Sequence, residues 1–258
     1  MGNTSFTLTL VVALFAGMLL AIELGHRVGR RSQQLDLEGA HSGTGTVEGA
    51  VFALLGLLVA FTFAGAATRF DGRRQLIVEE ANDIGTAYLR IDLLPADARA
   101  PLRALFRRYV DTRLAAYQQP TIEEAYAKLA EVAALQDQMW SQATAGCQAA
   151  APQPCAILLL PALNAMFDIV TTRTAATMMH PPAVIFGMLC GVGVLCAFLA
   201  GYSLEPGKRR KWSHSVTFAL VIALTVWVIL DMEYPRLGFI RVDTFDRVLK
   251  DVRAGMDR

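Results

Sequence analysis

The sequence predicts an all-α polytopic membrane protein, with four transmembrane helices and a helical-bundle insert between the second and third. Three observations point there. Four runs of about twenty residues are almost free of charge, the length a helix needs to cross a hydrocarbon core of ~30 Å. Apolar residues make up 54% of the 258-residue chain and charged residues 18%, a shift from ordinary soluble composition that is concentrated in those runs. The remainder carries apolar residues at helical spacing, with no strand-like alternation.

The first span is predicted over Phe6–Leu24, followed by His26, Arg27, Arg30 and Arg31. A cleaved signal peptide would carry its positive charge before the apolar run, whereas here the basic cluster follows it, so the segment reads as a retained span. The second runs from Val47 to Thr68, the third from Pro181 to Leu204, and the fourth from Ser213 to Leu230. Pro181 and Pro182 suit a first helical turn, where a backbone donor would be unsatisfied anyway. Trp212, Tyr202, Trp227 and Tyr234 fall near span ends, the depth aromatic residues prefer. His41-Ser-Gly-Thr-Gly-Thr46 reads as a flexible connector, and Glu205 to Lys211 as a tight basic turn.

The insert begins as an extension of the second span. Ile77, Ile84, Tyr88 and Ile91 share a helical face, and the helix should end before Pro95. A second helix is expected over Asp97–Tyr117, with Leu102, Leu105, Phe106, Tyr109, Val110 and Leu114 inward. A third starts at the capping-box pattern of Thr121 and Glu124 and turns Leu129, Val132, Leu135 and Met139 inward. A fourth covers Ala156–Met179. The resulting division is 1–72 for the first two spans, 73–180 for the extramembrane domain, 181–235 for the last two spans, and 236–258 for a C-terminal tail.

A net charge of +1 excludes any global attraction to nucleic acid, and the basic residues cluster at span ends. Arg27, Arg30, Arg31 and the run Lys208 to Lys211 lie in short loops, which carry the orientation signal. They place those loops inside and put the termini and central domain on the extracytoplasmic side of the cell inner membrane. Arg69, Arg73, Arg74, Arg236 and Arg241 argue the opposite way. Cys147 and Cys155 bracket a short Pro-containing segment. Either they form a disulfide, which would agree with the outward placement, or they are two free thiols. Cys190 and Cys196, inside a span, read as small buried residues.

The stretch Gly56-Leu-Leu-Val-Ala-Phe-Thr-Phe-Ala-Gly-Ala-Ala-Thr-Arg-Phe-Asp-Gly-Arg-Arg74, continuing Gln-Leu-Ile-Val-Glu-Glu-Ala-Asn-Asp-Ile-Gly85, resembles bacterial bestrophin-like proteins. In that family an apolar helix with small residues leads to an arginine, an aromatic, a glycine and a basic pair, then Asn-Asp. The match is strongest over residues 47–95. The resemblance implies a ring-shaped homo-oligomer whose second span lines a pathway, usually for small anions, and whose central domain is cytoplasmic, against the charge count. Phe70 stands where the family often has tryptophan.

On the second span, Leu55, Leu58, Thr62, Ala66, Arg69 and Arg73 approximate one face. If a pore exists, this face is its expected lining, with an arginine ring to concentrate anions. The alternative makes Arg69 and Arg73 interfacial anchors. Gly49, Ala53, Ala60, Ala64 and Ala67 form a small-residue face of the kind helices use to pack closely in lipid. Glu23 reads as a headgroup anchor beside His26. Asp231 and Glu233, at the end of the fourth span, are expected to be solvated.

No cofactor or metal set is predicted, because His26, His41, His180 and His214 lack ligand spacing with the cysteines. Gly43-Thr-Gly-Thr-Val-Glu-Gly49 lacks the strand and lysine of a phosphate loop. With no catalytic constellation, the enzyme class drops out. Two classes remain: an oligomeric, anion-conducting channel, and a non-conducting sensor or scaffold whose helical domain binds a partner or ligand.

Overall fold

The computed structural model of the chain describes residues 2–35, 44–119, 122–149, 152–204, 212–234 and 238–257. They are helical almost throughout: α1 Gly2–Leu35, α2 Thr44–Arg90, α3 Ala96–Tyr117, α4 Ile122–Ala149, α5 Pro152–Met178, α6 Ala183–Tyr202, α7 Trp212–Glu233 and α8 Asp246–Gly255. Four helical stretches are long and apolar enough to cross a membrane. They carry the four runs marked in the sequence.

Several boundaries moved. Helix α1 continues past Leu24 through its basic residues, where Arg27 donates to Glu23 at 2.8 Å, one turn away. Residues 44–46, expected in a connector, are the first turn of α2. The remaining connector residues, the basic turn at 205–211, Thr121 of the capping box and Arg236 lie outside the described residues. Helix α2 gives way to a 3₁₀ turn, Ile91–Leu93, and stops before Pro95, whose ring disfavours helix in the residue ahead of it. Pro182 sits at the N-cap of α6, and its carbonyl accepts from Ile185. Residues 246–255, expected in a tail, fold as α8.

The chain divides into two compact units. Unit 1 comprises residues 1–70 and 180–241; unit 2 comprises 71–179 and 242–258. In unit 1, α1 packs against α6 and α7. The core gathers Met18, Ile22, Leu55, Ala66, Leu189, Cys196, Ala197, Ala219 and Val226. The α1–α6 contact is unusually close because of three glycines. A Cβ on Gly25 would run into the Phe198 carbonyl oxygen, one on Gly201 into that of Ile22, and one on Gly29 into that of Tyr202. Small residues give helices in lipid this backbone-to-backbone approach.

In unit 2, α3 packs on α4, α4 on α5, and α8 on α3. Its core includes Ile77, Ile84, Ile91, Leu102, Phe106, Tyr109, Leu135, Met139, Leu159, Leu163 and Met166. Helix α8 inserts Leu249, Met256 just after it is buried too, and the Met256 carbonyl accepts from Tyr88 Oη at 3.0 Å and Arg107 Nη2 at 2.7 Å.

Candidate functional site

The second span, within α2, is where the sequence placed its pore and its packing face. A helix this apolar presents several faces, and the fold decides which one the chain covers itself. It covers the stripe Leu55, Leu58, Val59, Thr62 and Ala66. Leu55 is 3% exposed and Ala66 fully buried, with Leu58 half-buried against the same core. Phe52 meets the Phe218 ring edge-on at 5.9 Å. Thr62 Oγ1 donates back to the Leu58 carbonyl at 2.7 Å, so its proton stays within its own helix. The opposite side is open. Gly49, Ala53, Ala60 and Ala64 are exposed, with Ala67 half-buried, and Leu57 and Phe61 stand out at 52% and 68% exposure. The face expected to line a pore is thus the one a single subunit turns toward its own core, and the small-residue face is left uncovered.

The two arginines are committed within their units. In unit 1, Arg69 Nε donates to Glu233 Oε1 at 2.9 Å and Oε2 at 3.2 Å, and Nη2 makes a further contact to Oε1. His180 Nδ1 lies 3.5 Å from Glu233 Oε2, and its ring stacks on Tyr234 with centroids 4.7 Å apart. In unit 2, Arg73 is buried and caps α5: Nε donates to the Ala176 carbonyl at 3.1 Å and Nη2 to that of Met179 at 3.0 Å. A cation at a helix C-terminus meets carbonyls that have no intrahelical donor and opposes the negative end of the dipole.

Asp231 and Glu233 are not solvated, as the sequence suggested, but 4% and 1% exposed. Asp231 accepts from the backbone N–H of Phe239 at 2.9 Å and of Ile240 at 2.6 Å. A Cβ on Gly238 would collide with that carboxylate, and Phe239 packs edge-on against Trp227. The chain after α7 brings backbone donors that need an acceptor, and Asp231 supplies it. A warning signal existed: an acid in the last turn of a helix opposes the dipole and so needs a partner.

Sequence reasoning missed a buried polar cluster in unit 2. Glu80 of α2 is fully buried. It accepts from Arg113 Nε of α3 at 2.6 Å, from Tyr117 Oη at 3.0 Å, and from Arg173 Nη1 of α5. Arg113 also donates to Tyr117, and both guanidiniums lie over the Tyr117 ring, at 4.8 Å and 4.2 Å from its centroid. Burial works to raise the Glu80 pKa, but the charges and hydrogen bonds of Arg113 and Arg173 outweigh it and hold the carboxyl below the ordinary glutamate range. Burial pushes the Tyr117 hydroxyl well up, so it stays protonated and able to donate. The sequence signal was available: Glu80 and Arg113 fall on the inward stripes of their helices, where a charge must have a partner.

Cys147, near the end of α4, and Cys155, in the first turn of α5, are joined by a disulfide with Cα atoms 5.4 Å apart. Cys190 and Cys196 are free thiols. Among the described residues no three of His, Cys, Asp or Glu converge as metal ligands would.

This fold and its buried charges define a helical membrane protein with an ion-paired, disulfide-fastened helical unit. Residues 11–244 match the model of the bestrophin-like domain, and the chain belongs to the bestrophin-like family. Crystal structures of a bacterial bestrophin homologue from Klebsiella pneumoniae share the fold. One, a tryptophan-to-alanine variant, is 12% identical with a TM-score of 0.70, covering 96% of this chain and 98% of that one. A tyrosine-to-alanine variant is 13% identical with a TM-score of 0.70, covering 95% and 99%. A crystal structure of a membrane protein with a proline-to-alanine substitution is 14% identical with a TM-score of 0.64, covering 95% and 98%. No curated protein matched.

Proposed function

We propose that the chain assembles as a homo-oligomer in the cell inner membrane and conducts ions, with anions the class its family resemblance implies. The observation that carries this reading is the uncovered face of α2. Gly49, Ala53, Ala60 and Ala64 leave backbone open to close approach by a neighbouring helix, and Leu57 and Phe61 stand beside them. In lipid, small residues and good packing drive helix association. A hydrophobic pathway bounded by such a face would gate by dewetting rather than by charge.

Leu55, Leu58, Thr62 and Ala66 face the subunit's own core, away from the open face. An anion preference would then not come from an arginine ring, because Arg69 is paired with Glu233 and Arg73 with the α5 carbonyls. The scarcity of ionisable groups within the spans suits a passive pathway better than a coupled transporter.

Unit 2 and both termini are assigned to the extracytoplasmic side. The basic residues Arg27, Arg30 and Arg31 and the run Lys208 to Lys211, in the two short connections, support this, as does the disulfide in unit 2.

Purified full-length protein in planar bilayers tests the function. Single-channel currents are expected, with reversal potentials in chloride gradients giving the permeant charge. Absence of current across several salts and pH values, together with a monomeric native mass, would overturn the reading in favour of a non-conducting sensor or scaffold.

A further inference from the structure

We propose that the basic stretch of α1 holds an anionic phospholipid, its acyl chain along Leu20 and Leu24 and its phosphate on Arg27, Arg30 and Arg31. Leu20, Leu24, Arg27 and Arg31 recur at the spacing of one helical face, and Arg30 lies beside them, three residues from Arg27. That face is open: Leu20 and Leu24 are 65% and 55% exposed, and all three arginines are exposed. The opposite face is closed, because Gly25 and Gly29 bring α1 against the α6 backbone. A chain that covers Leu20 and Leu24 therefore meets the guanidiniums next.

The depth fits a lipid headgroup. Gly29 lies against the carbonyl of Tyr202, the last residue of α6, and a tyrosine at a span end marks the membrane interface. From Arg27 to Arg31 the helix rises about 6 Å, the thickness of one headgroup layer. The charge selects the class of lipid. Three guanidiniums stand against one nearby carboxylate, Glu23, which accepts from Arg27 at 2.8 Å. Among the described residues, Arg30 and Arg31 have no acidic partner. A guanidinium presents paired donors that match two phosphate oxygens. A zwitterionic head brings its own ammonium against the surplus positive charge, whereas an anionic head does not. Free phosphate would leave Leu20 and Leu24 uncovered, so the lipid is the better fit. The chemistry is the same whichever side of the membrane this part of α1 faces.

Native mass spectrometry of the full-length protein tests this, with the chain released from neutral-detergent micelles holding equal amounts of phosphatidylglycerol and phosphatidylcholine. Retained phosphatidylglycerol should exceed phosphatidylcholine severalfold, and equal retention would overturn the proposal. Combining Arg27→Gln, Arg30→Gln and Arg31→Gln should bring the two lipids to equal retention. Arg30→Gln alone should lower the preference part of the way, which keeps the test open if the triple variant does not fold. An unchanged preference in these variants would overturn the site. Arg108→Gln, on an exposed arginine of unit 2, should leave the preference as it was. A loss there as large as in the triple variant would reduce it to diffuse surface charge and overturn the site. Inorganic phosphate added at the same concentration should not displace the lipid. Displacement would make the ligand a free anion and overturn the lipid assignment.

Discussion

Glu80 has no exposure to solvent and two guanidinium groups against it, an arrangement whose worth depends on every member being present. Removing one partner of a buried ion pair leaves an uncompensated charge and costs roughly 3–5 kcal/mol. Glu80→Gln leaves Arg113 and Arg173 facing each other across a neutral amide. It should lower the thermal midpoint of the purified protein markedly, whereas Glu79→Gln, on the exposed neighbour, should leave it nearly unchanged. The pH dependence follows from the direction of the shift. A carboxyl whose folded pKa is depressed contributes stability that is present above its ordinary, unfolded pKa and lost as pH falls through the folded pKa. Wild-type protein should therefore lose stability more steeply on acidification below the ordinary glutamate range than Glu80→Gln does, read by denaturant midpoints across pH. Equal slopes would place the acid sensitivity elsewhere. Asp231 makes the matching case in unit 1. Asp231→Ala strips the acceptor from the Phe239 and Ile240 amides, a loss of roughly 1–3 kcal/mol, and should speed amide exchange at residues 238–240.

At the scale of elements, the α1–α6 pair is the most exacting contact, because backbone meets backbone. Gly201→Val would place a side chain on the Ile22 carbonyl, and Gly25→Val one on that of Phe198. A flexible side chain can yield to such an intrusion, but a carbonyl in a helix cannot. The expected cost exceeds the ~1–3 kcal/mol of ordinary overpacking. Both variants should lose the folded, detergent-soluble form in size-exclusion chromatography. Gly187→Ala, whose added methyl would meet nothing within 4 Å, should not. The elements themselves were legible. Runs of apolar residues longer than any soluble surface helix tolerates marked four spans, and the stripe Ile77, Ile84 and Ile91 marked the extension of α2. The face of each span was not legible. Inside lipid both packed and exposed surfaces are apolar, so hydropathy cannot tell Leu55, which is buried, from Leu57, which is open. The glycines were visible, but the small-residue pattern was read on α2 rather than on α1 and α6. Helix α8 was missed because its ten residues are too short and too charged to announce a core contribution, although Leu249 makes one, with Met256 at its C-terminal cap.

For the molecule as a whole, the open side of α2 is the surface whose partner decides the function. In one subunit it exposes Ala53, Ala60 and Ala64 beside Phe61, an apolar surface that either lipid tails or another copy must cover. Lipid would cover it without specificity. A second copy would do so at fixed register, and in a closed ring the same contact repeats around an axis. The two cases separate by chemical cross-linking in native membranes, using full-length chains in which Cys190 and Cys196 are replaced by alanine. Ala60→Cys, on the open side, should give a ladder of cross-linked species with a short bifunctional maleimide, ending at the size of the closed assembly. Ala66→Cys, fully buried against its own chain, should give none. The reverse result, linkage through Ala66 and not Ala60, would mean that α2 turns about its axis on assembly and brings Leu55, Thr62 and Ala66 to the shared pathway. Monomers from both variants would leave lipid as the cover and remove the physical basis for conduction.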